Sequence, residues 1–409
     1  MLEHWIWLAT RQGVSERTAL ALLHAFEDID SLYYATAENY ALVEGMQGRK
    51  LESLLDKSLA GAAKILSTCR TKGIHILAYR DAAYPDRLRH IPDPPLVLYY
   101  KGCLPSFDSE AAVAVVGTRK ASAYGCMIAK RMGYQIAKCG GLVISGMAGG
   151  IDSMAMRGAL MGSNAVVGVL GCGVDVVYPK NNRELYKDVE LHGCLLSEFP
   201  PGTTPAPWHF PKRNRIMSGL ACGVLVVEAP TKSGALITAQ HALDQGRDVF
   251  AVPGNVDTPN SQGPNSLLQS GAIVAQFGWD VMQEYEALFP KKVHRWEGGI
   301  DLSSSPRELR HAFEVFRVSE PVLRPSFEKE QKKSVDKLEK TPYIEDAKKP
   351  ELSADEQAVL DLLSQELKHV DLVIGDSGLT AAQVLASLTL LEVKGLVVRH
   401  PGKYYSLPR

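Results

Sequence analysis

An α/β fold built on a doubly wound, mostly parallel sheet is predicted by two observations. Short, wholly apolar runs alternate with helical stretches through the middle of the chain, and a glycine-rich or basic turn follows nearly every run. The chain has 409 residues, more than one hydrophobic core usually organises, so further domains are expected on either side of the sheet.

The first apolar runs, 74–78 and 96–100, flank the proline-rich stretch 84–95 and are expected as strands leading into the sheet. Runs at 112–116, 142–145, 165–170, 194–197, 224–227 and 249–252 then alternate with helical stretches at 124–138, 152–161, 183–192, 215–221 and 235–245. A strand covered on both faces needs no polar alternation, and parallel neighbours need crossover helices, so this pattern predicts a parallel sheet between two helical layers.

Residues 1–70 show helical spacing at 18–26, 38–43 and 50–66 and are expected to form a small helical domain. Its phrase Leu42-Val-Glu-Gly-Met-Gln-Gly48-Arg-Lys-Leu has the glycine-flanked form of a helix-hairpin-helix turn, although simple packing explains it as well. The sheet domain is placed at 71–289. Residues 291–350 hold 14 Lys or Arg and 11 Asp or Glu with little apolar periodicity, and a linker is expected over 290–350. In 351–409, Ser353-Ala-Asp-Glu356 is a capping box for a helix through 367, and Thr380 caps a second through 392. Residues 395–406 then read as two strands around a Pro-Gly turn, completing a winged-helix pattern. Its cations are Lys394, Arg399, His400 and Lys403, a sparse set that favours a protein contact over DNA.

Composition excludes several classes of function. Lys and Arg total 45 against 46 Asp and Glu, so any phosphate affinity must come from local clustering. Seven cysteines without a C-x-x-C pair give neither a disulfide framework nor a zinc site and suit a reducing cytoplasm. The opening MLEHWIWLATRQG does not read as a signal peptide, and no run approaches the roughly 18 apolar residues of a membrane span. Gly171-Cys-Gly173 lacks a third glycine at Val176, and no G-x-x-x-x-G-K-[ST] occurs, so ordinary dinucleotide and ATP sites lose support. Asp152 and Asp175 sit where carboxylates cap helices or fix loops, and His241 lies in an apolar helix. No catalytic constellation, metal site or cofactor is expected.

In an open parallel sheet, ligands meet the carboxyl ends of the strands, where helix amino ends present unpaired N–H groups. The loops there offer Gly117, Thr118, Arg119 and Lys120; Ser145, Gly146, Gly149 and Gly150; Lys180; Phe210, Lys212, Arg213, Asn214 and Arg215; and Ser233 with Gly234. Each glycine alone is a common turn residue, so the weight lies in several such loops along one rim, which suits a ligand with consecutive phosphates. Phe210 and Trp208 beside the cations of 212–215 give the ring-and-cation pairing that unpaired nucleic acid needs, with Trp208 equally suited to the core.

These phrases together resemble the DprA/Smf family of DNA-processing proteins: VGTRKASAYG, ISGMAGGIDSMAMRGAL, VLGCGVDVVYPKNN, LLSEFPPGT, FPKRNRIMSGL, VVEAPTKSGALITAQHAL, and AVPGN with GPNSLLQSGA. The resemblance covers about 70–285, in order. It implies an extended Rossmann-like domain, a SAM- or helix-hairpin-helix-like domain before it and a winged helix after it. It further implies single-stranded DNA binding without catalysis, a homodimer through the Rossmann-like domain, and loading of RecA onto strands displaced from single-strand-binding protein during natural transformation. On that resemblance Arg119, Lys180, Phe210, Arg213 and Arg215 are DNA contacts, while Gly146, Gly149, Gly150, Ser233 and Gly234 shape backbone sites. One departure is Met156, where members commonly carry His.

The rival class is a nucleoside-monophosphate hydrolase, which resembles this fold but needs a catalytic Glu on the helix that here reads Ser233-Gly-Ala-Leu-Ile-Thr-Ala-Gln240, without a carboxylate. A pure scaffold leaves the basic loops unexplained.

Overall fold

The computed structural model describes residues 1–162, 164–296, 298, 352–364, 368–394, 396–400 and 404–407. The chain divides into two compact units, Met1–Pro321 and Val322–Arg409. Most of the expected linker at 290–350 lies outside the described residues.

The first unit opens with six helices: α1 (Leu2–Ala9), α2 (Glu16–Ala25), α3 (Ile29–Tyr34), α4 (Ala37–Ala41), α5 (Arg49–Leu55) and α6 (Ala60–Lys72). The single helix expected at 50–66 is broken between α5 and α6, because donors from the preceding helices capture the backbone there. Trp7 Nε1 donates to the Asp56 carbonyl at 2.8 Å, Arg11 donates to the same oxygen at 3.0 Å, and the Tyr33 hydroxyl donates to the Lys57 carbonyl. Sequence periodicity also passed over α1, whose Trp5, Ile6, Trp7 and Leu8 are buried.

Nine strands follow: β1 (His75–Ala78), β2 (Val97–Gly102), β3 (Ala112–Val116), β4 (Leu142–Ser145), β5 (Val166–Val169), β6 (Cys194–Ser197), β7 (Gly223–Val226), β8 (Asp248–Ala251) and β9 (Ile273–Val274). They form one sheet ordered β1-β2-β6-β5-β4-β3-β7-β8-β9. All pairs from β6 across to β9 are parallel, while β1 and β2 add an antiparallel edge. The chain winds outward from β3 to β6 and then returns to place β7 on the other side of β3. The winding therefore reverses between β3 and β7, where a crevice opens at the carboxyl edge.

The helices of this part are α7 (Asp86–Arg89), α8 (Ala123–Lys138), α9 (Ile151–Met161), α10 (Arg183–His192), α11 (His209–Leu220), α12 (Gly234–Asp244), α13 (Gln262–Gln269) and α14 (Gly278–Met282). Every residue of β3, β4, β5, β6 and β7 is buried, and alternate side chains feed two apolar clusters. Val113, Val115, Val143 and Leu225 pack with Ile128 of α8, Ala155 and Met156 of α9 and Trp7 of α1. Ala114, Val116, Ile144 and Val226 pack with Ile216 of α11, Ala239 of α12 and Leu88 of α7. The amino-terminal helices thus share a core with the sheet. Met156, the departure from the family pattern, is fully buried.

The second unit contains α15 (Ala354–Leu360), α16 (Val370–Ser377) and α17 (Ala381–Val393), with strands β10 (Lys368–His369), β11 (Val398–His400) and β12 (Tyr404–Ser406) in the order β10-β12-β11. It is a winged helix. The capping box at Ser353 and Glu356 forms as expected, but α15 stops at Leu360 rather than 367, and α16 was not anticipated. Lys394 pairs with the Glu356 carboxylate at 2.8 Å, so this cation already has an internal partner. Among the described residues no helix is long and apolar enough to cross a membrane.

Candidate nucleic-acid interface

Two recesses adjoin at the crevice between β3 and β7. One, of about 340 Å³, is bounded by Arg119, Tyr178, Pro205, Pro207, Phe210 and Asn214. The other, of about 280 Å³, includes Gly117, Thr118, Arg119, Lys120, Lys232 and Ser233 in its wall. Arg119, Phe210, Asn214 and Gly234 belong to both, so the two form one continuous groove.

The centre of the groove is a cation on a ring. The Arg119 guanidinium carbon lies 4.8 Å from the centroid of the Phe210 ring, and the Tyr178 ring stands 5.6 Å from Phe210, tilted by 35°. Arg119 and Lys120 are exposed at the end of β3. Lys180 is exposed just after Tyr178, and Asn182 holds its segment to the β4 loop by donating to the Met147 carbonyl at 2.9 Å. Asn214 donates to the Gly234 carbonyl at 3.1 Å, joining α11 to the start of α12. Tyr178 and Lys232 belong to the groove although the sequence did not single them out. Tyr178 was hidden because a tyrosine before proline reads as an ordinary loop residue.

The phrase 210–215 behaves differently from expectation because it is helix, not loop: α11 begins at His209, ahead of the expected 215–221. At about 100° per residue, one turn sends these side chains in separate directions. Phe210 and Asn214 share the groove face, whereas Lys212 lies about 200° from Phe210. Arg213 is 4% exposed and donates to the carbonyls of Gly146 (2.7 Å) and Val169. Arg215 is 2% exposed and pairs with Glu198 at 2.7 Å and Asp93 at 3.2 Å. Lys212 pairs with Glu16 of α2 and lies 3.6 Å from Glu198. Arg213, Arg215 and Lys212, expected as phosphate contacts, are thus held by internal acceptors, and α11 is fixed from behind by an ion network. Burial pushes the Glu198 carboxyl up, against the opposing pull of Arg215 and Lys212.

At this edge the protein's own carboxylates take backbone donors at the start of α8 and in the loop after β4. Glu228, just past β7, accepts from the Ser122 amide (2.9 Å) and hydroxyl (2.5 Å) at the start of α8, and from Asn260 (3.3 Å). Its carbonyl takes the Thr118 amide at 2.7 Å, fixing the turn that carries Arg119. Asp152 accepts from the Gly146 amide at 3.2 Å, and burial raises its carboxyl despite the neighbouring Arg213. Gly146 has no room for a Cβ, because the Arg213 guanidinium fills that space, and Gly150 takes a φ of +75° that favours glycine. Ser145 is buried with its hydroxyl on the Val115 carbonyl at 2.7 Å, so Ser145 and Gly146 are scaffold. Gly149, Gly150, Ser233 and Gly234 retain surface, and Ser233 and Gly234 line the groove.

Fold and groove define an extended Rossmann-like protein with a cationic, ring-lined switch-point crevice and a carboxyl-terminal winged helix. Residues 75–286 match the family described as DNA recombination-mediator protein A, and 344–403 match the DprA winged helix domain. The chain is 31% identical to Protein Smf of Synechocystis, with 98% of each chain covered, and 40% identical to DNA processing protein DprA of Bacillus subtilis over 54% of this chain and 74% of that protein. The crystal structure of DprA from Streptococcus pneumoniae superposes with a TM-score of 0.62 at 33% identity, covering 69% of this chain and 98% of that one. This chain belongs to the DNA recombination-mediator protein A family, the DprA/Smf proteins.

Proposed function

We propose that the chain is a cytoplasmic, non-catalytic recombination mediator that binds and protects incoming single-stranded DNA in the switch-point groove and loads a RecA-type recombinase during natural transformation. The observation that carries the binding step is the Arg119–Phe210–Tyr178 cluster in a continuous groove. Cations there neutralise phosphates while rings offer faces to bases, and only an unpaired strand exposes both at once. Arg119, Lys120 and Lys180, with the backbone around Gly117, Gly149, Gly150, Ser233 and Gly234, form the phosphate track. Membership of a family named for DNA processing and recombination supports the same assignment.

RecA and single-strand-binding protein are the protein partners implied by that role, and a second copy of the chain is the third. The exposed side chains of Tyr124, Met127, Val274 and Phe277, with Arg131 lying 5.4 Å over the Phe277 ring, give the Rossmann-like part an apolar surface suited to a homodimer. The hydrolase alternative fares worse, because Asp152, a carboxylate in the groove wall, is engaged by backbone amides and sits beside Arg213.

Titration of a labelled oligothymidylate at several salt concentrations tests the proposal. Contacts from Arg119, Lys120 and Lys180 predict a log–log slope of about −2, at roughly −0.7 per phosphate on a single strand. A slope near zero, or equal affinity for duplex of the same length, would refute it.

A further inference from the structure

We infer that Asp175 is a positioning residue of the groove, pinning the segment that carries Tyr178 and Lys180 to the opposing wall at Gly202 and to Lys72 of the amino-terminal helices. The inference rests on the proposed single-strand groove, and it gives the amino-terminal helices a part in binding that works through the groove wall.

The walls of the recess come from neighbouring loops. The segment after β5 exposes Tyr178 and Lys180, and the loop after β6 supplies Pro205, Ala206 and Pro207. Between them, Asp175 Oδ1 accepts from the Gly202 amide at 2.8 Å, a short step ahead of Tyr178 on one side and of Pro205 on the other. Asp175 Oδ2 accepts from Nζ of Lys72, the last residue of α6, at 2.5 Å. Beside this junction the Gly173 amide donates to the Thr203 carbonyl at 3.0 Å. The loops approach so closely that a Cβ at Gly173 would stand 2.7 Å from Asp175 Oδ1 and 2.9 Å from the Gly202 nitrogen. One carboxylate thus joins both walls of the recess to the end of α6.

The Asp175 side chain is 9% exposed and lines neither recess, so it acts on a bound strand through its neighbours. Burial pushes its carboxyl up, but Lys72 and the Gly202 amide outweigh that and hold it below its ordinary 3.8, so it is an anion at neutral pH. A carboxylate on the segment that carries Lys180 opposes a phosphate ligand by its field. What it offers in return is a charge-assisted bond between two loops, with Lys72 balancing the charge. The other side of the groove is referred to the same helices, because Lys212 of α11 pairs with Glu16 of α2. Tyr178 and Phe210, 5.6 Å apart, are therefore carried on segments braced from one body. A spacing set before the strand arrives removes an ordering cost that would otherwise weaken binding.

The test uses the full chain and the anisotropy of a labelled oligothymidylate, with thermal melting to check that each variant is folded at the temperature of titration. Positioning and a simple field effect differ in sign. By its field alone, D175A tightens binding and K72M weakens it, whereas loss of the brace weakens binding in both. D175A is expected to bind at least about fivefold more weakly, the lower end of one lost base stack. Its salt slope should be unchanged, because the cations of the phosphate track remain. D175N should recover most of the affinity, since its side-chain carbonyl still accepts from the Gly202 amide. K72M should lie between wild type and D175A and keep its loss at high salt, where a field effect is screened. D175A binding as tightly as wild type or more tightly, or D175A and D175N binding equally, overturns the inference and leaves the groove standing. Where D175A does not fold, wild-type affinity of K72M at high salt overturns it in the same way. If the wild-type chain fails to bind the oligonucleotide at low salt, the single-strand groove itself fails, and the positioning role with it.

Discussion

The helix amino ends after β3 and β4 and the surface between Arg119 and α12 lie on the same sheet edge, yet they have opposite fates. At the start of α8 and in the loop after β4, backbone donors that a nucleotide phosphate would use are taken by Glu228 and Asp152. A few ångströms away Arg119, Phe210 and Tyr178 face one another across open groove. The first region shows how a Rossmann-like sheet loses a mononucleotide pocket: internal carboxylates occupy the anion positions and lock the loops. The second shows what the locked loops then support, a rigid rim carrying cations and rings. The difference between them is which anion the donors meet, one built into the chain or one supplied by a ligand.

Two arginines put that contrast to its hardest test. Arg213 is buried under the groove with the Gly146 and Val169 carbonyls as acceptors and Asp152 nearby. Arg213→Ala is expected to destabilise the first unit by about 3–5 kcal/mol, since it strands a buried carboxylate and two carbonyls. Urea unfolding measures this, and a loss under 1 kcal/mol would place Arg213 outside the scaffold. Arg119 is exposed, so Arg119→Ala is expected to leave unfolding unchanged while weakening oligothymidylate about tenfold or more. The salt slope should flatten by about 0.7, one phosphate contact. If the two substitutions gave the same phenotype, the division between scaffold and rim would not hold.

That division was only half legible in the sequence. The strands at 112–116, 142–145 and 194–197 were readable to the residue, because burial on both faces leaves an uninterrupted apolar signal with glycine or charge at its end. The exposed position of Arg119 and Lys120 was readable for the same reason, as they directly follow such a strand. Arg213 and Arg215 were misassigned because a run of cations beside Phe and Pro looks like a loop, and only the helical start at His209 turns alternate members inward. Glu228 drew no attention because its donors, Ser122 and Asn260, are distant in sequence. A carboxylate ending a buried strand always needs such partners, and that need was the available clue.

Glu228 allows the closed region to be reopened. Glu228→Ala removes the acceptor for the Ser122 amide and hydroxyl and for Asn260, at an expected cost of about 1–3 kcal/mol. It also frees the amino end of α8 for an external anion. Inorganic phosphate should then raise the melting temperature of Glu228→Ala and leave that of the wild-type protein unchanged. Equal responses of the two proteins would mean that Glu228 does not close that site.

The smallest expected effect concerns the ion network behind α11 and depends on pH. The Glu16 carboxyl is held below its ordinary 4.5: burial pushes it up, but the hydrogen bond and charge of Lys212 outweigh that. A carboxyl lowered in the folded state stabilises the protein fully above its ordinary value, and that contribution is lost as pH falls through the lowered one. Asp175, bonded to Lys72 and the Gly202 amide, has the same sign, whereas Glu198 and Asp152 are raised and have the opposite one. Glu16→Gln isolates one member. Because the pair is partly exposed, the variant should be less stable than wild type by no more than about 1 kcal/mol at pH 7. The gap should close as pH falls below about 4.5 and the wild-type carboxyl takes up its proton. Melting curves of both proteins across that range measure it. A gap that does not change with pH across that range would mean that the Glu16 charge contributes nothing to holding α2 against α11.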